Sequence, residues 1–295
     1  MPRFPSHCLA SFRSVLRPTL TVLAAAASGF ALATQAPAQT AAPIPDFQSK
    51  NVSWTAINSD FTAVPGSPAP VTWDRAYPFF RNDQARDNGG QATYRVPDPN
   101  NPNLKPWAQD ILRKQREKVL AGSIGATPRW SCKPGGVPGF SIFVVEPVYI
   151  VQGPKKVLLI YQGNQEVRHV YLNVPHSANP KPSWYGESIG WYEGDSLVVD
   201  TIGLSTKAPI DNYHTPHTEQ LHVIERYRVV EDGKALEVNL EIDDPGTFNQ
   251  PWKARQRYSR TQQGPLPEVK CVENNDDHFN LPGFEPSPSA DKPDF

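Results

Sequence analysis

From residue 140 onward the chain alternates apolar and polar positions with a period of two. Leu236, Val238, Leu240 and Ile242 interleave with Glu237, Asn239, Glu241 and Asp243. Successive side chains of a strand point to opposite faces, so this spacing predicts a strand with one buried and one wet face. Leu221, Val223, Glu225, Tyr227 and Val229 alternate in the same way with His222, Ile224, Arg226, Arg228 and Val230. The two runs flank Glu231-Asp232-Gly233-Lys234, and Asp-Gly between alternating runs is a hairpin signal. Further strands are expected over 141–151 (interrupted by Pro147), 156–162, 166–174 and 252–260. Two more are expected within 191–201, on either side of the turn at Gly194-Asp195. Roughly eight short strands joined by tight turns predict a mainly β fold, an antiparallel, up-and-down, lipocalin-like barrel. A β-sandwich is the alternative. Barrels of this kind commonly enclose a cavity for a small ligand.

The period changes earlier in the chain. Pro106-Trp107 opens a stretch in which Trp107, Ile111 and Leu112, then Val119 and Leu120, recur at helical spacing before Gly122. Proline is favoured in a first helical turn, so one helix is expected here. Asp110 with Lys114, and Arg113 with Glu117, are four apart and suited to weak pairing. Residues 39–102 are rich in proline, asparagine and alanine and show no sustained period. They read as an irregular wrapping segment, whose aromatic residues dock parts of it on the core. The barrel domain with its leading helix is expected over 103–275, and 276–295 as a tail.

The first residues carry Arg3, Arg13 and Arg17 and no acid, followed by an alanine-rich apolar run and then Ala36-Pro37-Ala38. That order predicts a secretory signal peptide over 1–38, cleaved near Ala38, and hence a periplasmic or secreted protein. The apolar run is too short for a spanning helix, and no later stretch is longer, so no membrane span is expected. Removing three arginines leaves 26 basic residues against 30 acidic ones (29 − 3 against 30). No basic stripe appears, which speaks against nucleic-acid binding. Cys132 and Cys271 are the two cysteines left after cleavage. In an exported protein they read most simply as one disulfide, with two free thiols as the alternative.

Several motifs fall in order along the chain. They are Cys132-Lys-Pro134-Gly-Gly136-Val-Pro138, the run from Trp184-Tyr-Gly186 through Gly190-Trp191 and Gly194-Asp195 to Asp200-Thr201, and His217-Thr218 with His222-Val-Ile-Glu225-Arg226. Asp244-Pro245 with Pro251-Trp252, and Cys271-Val-Glu273-Asn274-Asn275, complete the series. Together they resemble a widespread family of exported bacterial proteins over roughly residues 100–276. The resemblance implies export and a β-rich domain, and it supplies no reaction. Gln162 is a departure, because an acid is common near that position in similar proteins.

Histidine is the side chain that titrates near neutral pH and the commonest metal ligand. Five of the chain's seven histidines lie between His169 and His222. His217 and His222 adjoin the face of the 221–230 strand that is apolar except for Glu225. An acid on such a face is costly unless paired, so Glu225 is either an acid–base group or a structural carboxylate held by arginine. His217, His222 and Glu225 are therefore the candidate catalytic residues. Arg168, Tyr171, His176, Asp200 and Tyr227 are the candidate substrate-binding residues. His214 reads as a loop residue, and His169 as inward-facing beside Val167 and Tyr171. No metal is expected, because His217 and His222 are an odd number of residues apart and match no helical zinc motif. Ser188 is followed by a strand rather than a helix, which speaks against a serine hydrolase. These residues point to an exported enzyme without a cofactor, of lyase, isomerase or dehydratase type. It would act by proton transfer on a small apolar or aromatic molecule. A periplasmic small-ligand-binding protein and a zinc-dependent hydrolase are the alternatives.

Overall fold

A computed structural model describes residues 44–47, 52–77, 96–121, 128–144, 147–163, 166–262, 266 and 268–269. The signal peptide expected over 1–38, Cys271 and the 276–295 tail lie outside the described residues. Among the described residues no helix is long and apolar enough to cross a membrane.

The protein is mainly β. Among the described residues ten strands form one sheet: β1 (Val52–Ala56), β2 (Thr62–Ala63), β3 (Val148–Gln152), β4 (Lys156–Tyr161), β5 (Glu166–Leu172), β6 (Glu187–Glu193), β7 (Ser196–Ile202), β8 (His222–Val230), β9 (Ala235–Asp243) and β10 (Trp252–Gln262). They neighbour one another in the order β1-β3-β4-β5-β6-β7-β8-β9-β10-β2. β1 also pairs with β10, through Val52 opposite Gln262 to Ala56 opposite Tyr258. The sheet thus closes into a nine-stranded, lipocalin-like barrel, with β2 as an extra strand on β10.

The period-two pattern sets the faces. Leu236, Val238, Leu240 and Ile242 of β9 are buried at 0–2 % exposure, packed with Val223 and Tyr227 of β8 and Leu197 and Val199 of β7. Burying a side chain of this size stabilises by about 1.5–3 kcal/mol, which is why the register cannot slip by one residue. The β8–β9 turn follows the Asp-Gly signal, with Glu231, Asp232 and Gly233 all at positive φ.

Three features depart from the expected barrel. β5 and β6 run parallel, with Val170 opposite Ser188 and Leu172 opposite Gly190. A parallel neighbour needs a crossover of roughly a dozen residues or more, and the proline-rich 173–186 segment supplies it. The barrel is therefore mixed rather than up-and-down. The seam is tight at Gly190, where an added Cβ would lie 2.8 Å from Val170 Cγ1. Secondly, β1 and β2 come from the N-terminal segment read as irregular. β1 is only five residues long, too short for a periodic signal, and backbone pairing on two sides makes it a strand. Thirdly, the run expected over 141–151 is divided. Gly139–Ile142 is a 3-10 turn, and β3 begins after Pro147.

The one α-helix of the described residues, α1 (Pro106–Leu120), has Pro106 in its first turn. It buries Ala108 and Leu112 and leaves Trp107 and Ile111 half-exposed. The contacting stripe is thus Leu104, Ala108 and Leu112, rather than Trp107 and Ile111. The β9–β10 connection decides this. It accepts the Lys105 N–H at Thr247 O (2.8 Å) and the Trp107 indole N–H at Gly246 O (2.8 Å). Asp110 pairs with Arg113, not Lys114.

Candidate functional site

Inside the barrel, β5, β6, β7 and β8 bring one buried ionic network together. Arg168, Ser188, Thr201 and Glu225 are each at most 2 % exposed. The Arg168 guanidinium donates from Nη2 to Glu225 Oε2 and, at 2.8 Å, to Thr201 Oγ1. Its Nε donates to Ser188 Oγ at 3.1 Å, and Tyr227 OH donates to Glu225 Oε1 at 2.8 Å. Burial works against the Arg168 charge, but the fields of Glu225 and Tyr227 outweigh it and hold the guanidinium above its ordinary range. Burial and then the Glu225 charge push the Tyr227 phenol well above its ordinary value. Each carboxylate oxygen of Glu225 thus accepts a hydrogen bond within the core. Of the two roles open to Glu225, this geometry suits the structural one, since removing one member would strand a buried charge.

The opposite face of the same strands carries a second network. His176 follows β5 in the crossover, and its Nδ1 lies 3.0 Å from Glu187 Oε1 at the start of β6. Its Nε2 lies 3.0 Å from Asp200 Oδ1 on β7. His222 Nε2, at the start of β8, lies 2.8 Å from the same Asp200 oxygen. Each ring nitrogen of His176 thus faces a carboxylate oxygen. Ser177 donates its N–H (2.7 Å) and its hydroxyl (2.6 Å) to Glu187. These Ser177 bonds hold the Glu187 carboxyl below its usual range. Partial burial raises Asp200, but the hydrogen bonds from His222 and His176 prevail and keep it low. The Asp200 bond, opposed by burial, raises His222 above its ordinary value. The chain Glu187–His176–Asp200–His222 ends at a side chain 38 % exposed to solvent.

A surface cleft of about 320 Å³ adjoins this chain. Val167, His169 and Tyr171 of β5 form one wall; Lys181, Tyr185 and Glu187 contribute the other. The cleft lies on the seam where β5 and β6 share only three paired positions. Tyr185 donates to Glu166 Oε2, which also accepts the Gly135 N–H at 3.2 Å. Burial, then the Glu166 charge, raises the Tyr185 phenol above its ordinary value. Glu166 Oε1 has no hydrogen-bond partner among the described residues.

The sequence-predicted residues therefore separate into groups. Arg168, Glu225 and Tyr227 meet in the interior. His176, Asp200 and His222 meet outside, and Tyr171 stands on the outer wall of the cleft, three positions and therefore one face away from Arg168. His169 also faces outward, stacked on Tyr171 with ring centroids 6.2 Å apart, because the buried set of β5 is Glu166, Arg168, Val170 and Leu172. His222 and Glu225 do not meet, since an odd separation along a strand puts them on opposite faces. His217 is buried, 4 % exposed, with Nδ1 2.8 Å from Thr218 O and no partner for Nε2 among the described residues. The period-two spacing puts Asp200 on the Val198/Ile202 face, and that face is the outer one. Sequence reasoning missed Glu187, Ser177, Lys181 and Tyr185. The Pro-rich crossover that positions them has no period, although Glu187 immediately precedes the motif serine. Among the described residues no three His, Cys, Asp or Glu side chains converge to hold a metal ion. No family model matches the chain, and no curated protein matches it.

Proposed function

We propose that this protein is an exported enzyme of lyase or isomerase type that moves a proton on a small molecule bound in the β5–β6 cleft. One observation carries the reading: Glu187 lines the cleft and is also the first member of the chain Glu187–His176–Asp200–His222 that ends at solvent. The Glu187 carboxylate takes the proton from the substrate. The proton then passes to His176 Nδ1, while the Nε2–H of that ring stays hydrogen-bonded to Asp200. A positioned acid–base group of this kind contributes roughly 10²–10⁴-fold to rate. Arg168 and Glu225 act behind the wall, holding β5 to β8 through Ser188 and Thr201. In this reading the His–Glu chemistry lies on the barrel's outer wall and not in its interior. Residues 1–38 direct export. Cys132 and Cys271 form a disulfide in the exported chain, which belongs with the exported bacterial family that its motifs resemble.

A second reading, ligand binding without catalysis, is favoured by one feature. Both Glu187 oxygens already accept hydrogen bonds from Ser177, and those bonds make the carboxylate a weaker base. One experiment separates the two. Purified protein is incubated in D₂O with a panel of small carbon acids, and deuterium uptake at carbon is followed by NMR. Catalysis predicts uptake with at least one compound, reduced about 100-fold or more in Glu187→Gln and His176→Ala. Equal uptake in the variants refutes the role of the chain, and binding without uptake selects the second reading.

A further inference from the structure

We propose that the β5–β6 cleft takes a small planar carboxylate, an aromatic or conjugated acid, with its anionic end on Lys181 and its ring on Tyr171. This deepens the proposed function, on which it rests for the identity of the site. Charge is the first argument. Lys181 lines the cleft, is exposed, and has no carboxylate partner among the described residues. Glu187, the acid of the same cleft, already accepts hydrogen bonds from Ser177 and lies 3.0 Å from His176. Lys181 is thus the charged group of the cleft left without a partner among the described residues, and a single ammonium suits a monoanion.

Shape is the second argument. His169 and Tyr171 lie nearly parallel, 21° between ring planes, and Tyr171 is 47 % exposed. Val167, 38 % exposed, continues the same wall. These three side chains are outward positions of a single strand, and they bring one aliphatic and two aromatic groups to the cleft that Lys181 and Glu187 also line. Aromatic faces favour offset stacking with other π systems. The volume of about 320 Å³ is at the small end of the range of roughly 300–1,000 Å³ for small-molecule sites. It accommodates one ring with a short substituent. In such an arrangement the carboxylate on Lys181 orients the carbon skeleton across the mouth of Glu187, the group assigned to take the proton.

The test uses three probes of similar size: benzoate, benzyl alcohol and benzylamine. Each is titrated into the purified protein at low ionic strength, and amide chemical shifts are followed by NMR. Benzoate is expected to bind about 3- to 5-fold more tightly than benzyl alcohol, the scale of one solvent-exposed ion pair, with benzylamine weakest. Added salt lowers that preference. Lys181→Ala removes the preference and leaves benzyl alcohol binding unchanged, whereas Tyr171→Ala weakens benzoate and benzyl alcohol alike. Equal binding of all three probes, absence of binding by any, or a preference that survives Lys181→Ala overturns the proposal. Glu187→Gln keeps the benzoate preference while abolishing deuterium uptake. Wild-type protein that shows the preference but no uptake with any compound faults only the catalytic role of the chain, and uptake without the preference faults only this ligand assignment.

Discussion

Two charged networks occupy opposite faces of the same strands, and adjacent residues are divided between them. Ser188, Thr201 and Glu225 point inward to Arg168; Glu187 and Asp200 point outward to His176, and His222 to Asp200. The residue types overlap, yet their environments differ. The interior set is at most 2 % exposed, and neutral hydroxyls hydrogen-bond its ionic pair. The exterior side chains are 19–38 % exposed and contain a group whose charge changes near neutral pH. Burial turns a carboxylate into a fixed structural charge, whereas partial exposure leaves it able to exchange a proton with a neighbour and with water.

The largest effect is expected inside. Glu225→Ala leaves Arg168 buried without its counter-charge and should lower unfolding free energy by about 3–5 kcal/mol in urea denaturation. The double variant Arg168→Met/Glu225→Leu should recover most of that loss, because a buried ion pair contributes little beyond an apolar pair of similar volume. If the double variant is as unstable as the single one, the interior network has a role beyond mutual neutralisation.

Asp200→Asn should behave in the opposite way. It should cost less than about 1 kcal/mol, the usual range for pairs at this exposure, yet return the His222 titration seen by NMR toward its ordinary value. Deuterium uptake should fall at least about tenfold, since His176 loses the carboxylate that holds its Nε2–H. A large stability loss with unchanged uptake would reassign the outer network to structure.

The pH dependence sharpens the contrast. His222 is raised in the fold, so its contribution is complete below its ordinary value of 6.5 and is lost as pH rises through the higher folded value. Asp200 is lowered, so its contribution is complete above 3.8 and is lost as pH falls through the lower folded value. The stability difference between wild type and Asp200→Asn should therefore be greatest between 3.8 and 6.5. Asp211, in the loop before β8, contributes the reverse slope. Burial, opposed by hydrogen bonds from Thr215 and Tyr213, pushes it up to about 6, so stability falls as pH rises from 3.8 toward that value. Urea midpoints across this range should lose that slope in Asp211→Asn. The smallest effect belongs to Tyr171→Ala, within about 0.5 kcal/mol of wild type, because its ring is exposed and it stands outside both networks. A larger loss, read from the same midpoints, would show that the cleft wall is part of the core.

How far each network is legible follows from the distance in sequence between its members. The alternation of Val223, Glu225 and Tyr227 is enough to put the carboxylate on the apolar face, and a buried acid calls for an arginine such as Arg168. Nothing local joins His176 to Glu187 or Asp200. Those contacts depend on the register of Ser188 opposite Thr201 and of Asp200 opposite Ile224, and on a crossover without periodicity. The same crossover makes β5 and β6 parallel and opens the cleft, which a reading of consecutive hairpins does not anticipate.

By itself the sequence determined most of the strands from β3 onward, the β8–β9 hairpin, the helix and the buried sides of β8 and β9, because these depend on neighbours a few positions apart. Only the tertiary structure decided which charges meet. Hydrogen bonds reach about 3 Å, and side chains many residues apart come within that reach only after strand order and register are set. Closure of the barrel by β1, the parallel seam and the outward pairing of His176 and His222 through Asp200 are decisions of that kind.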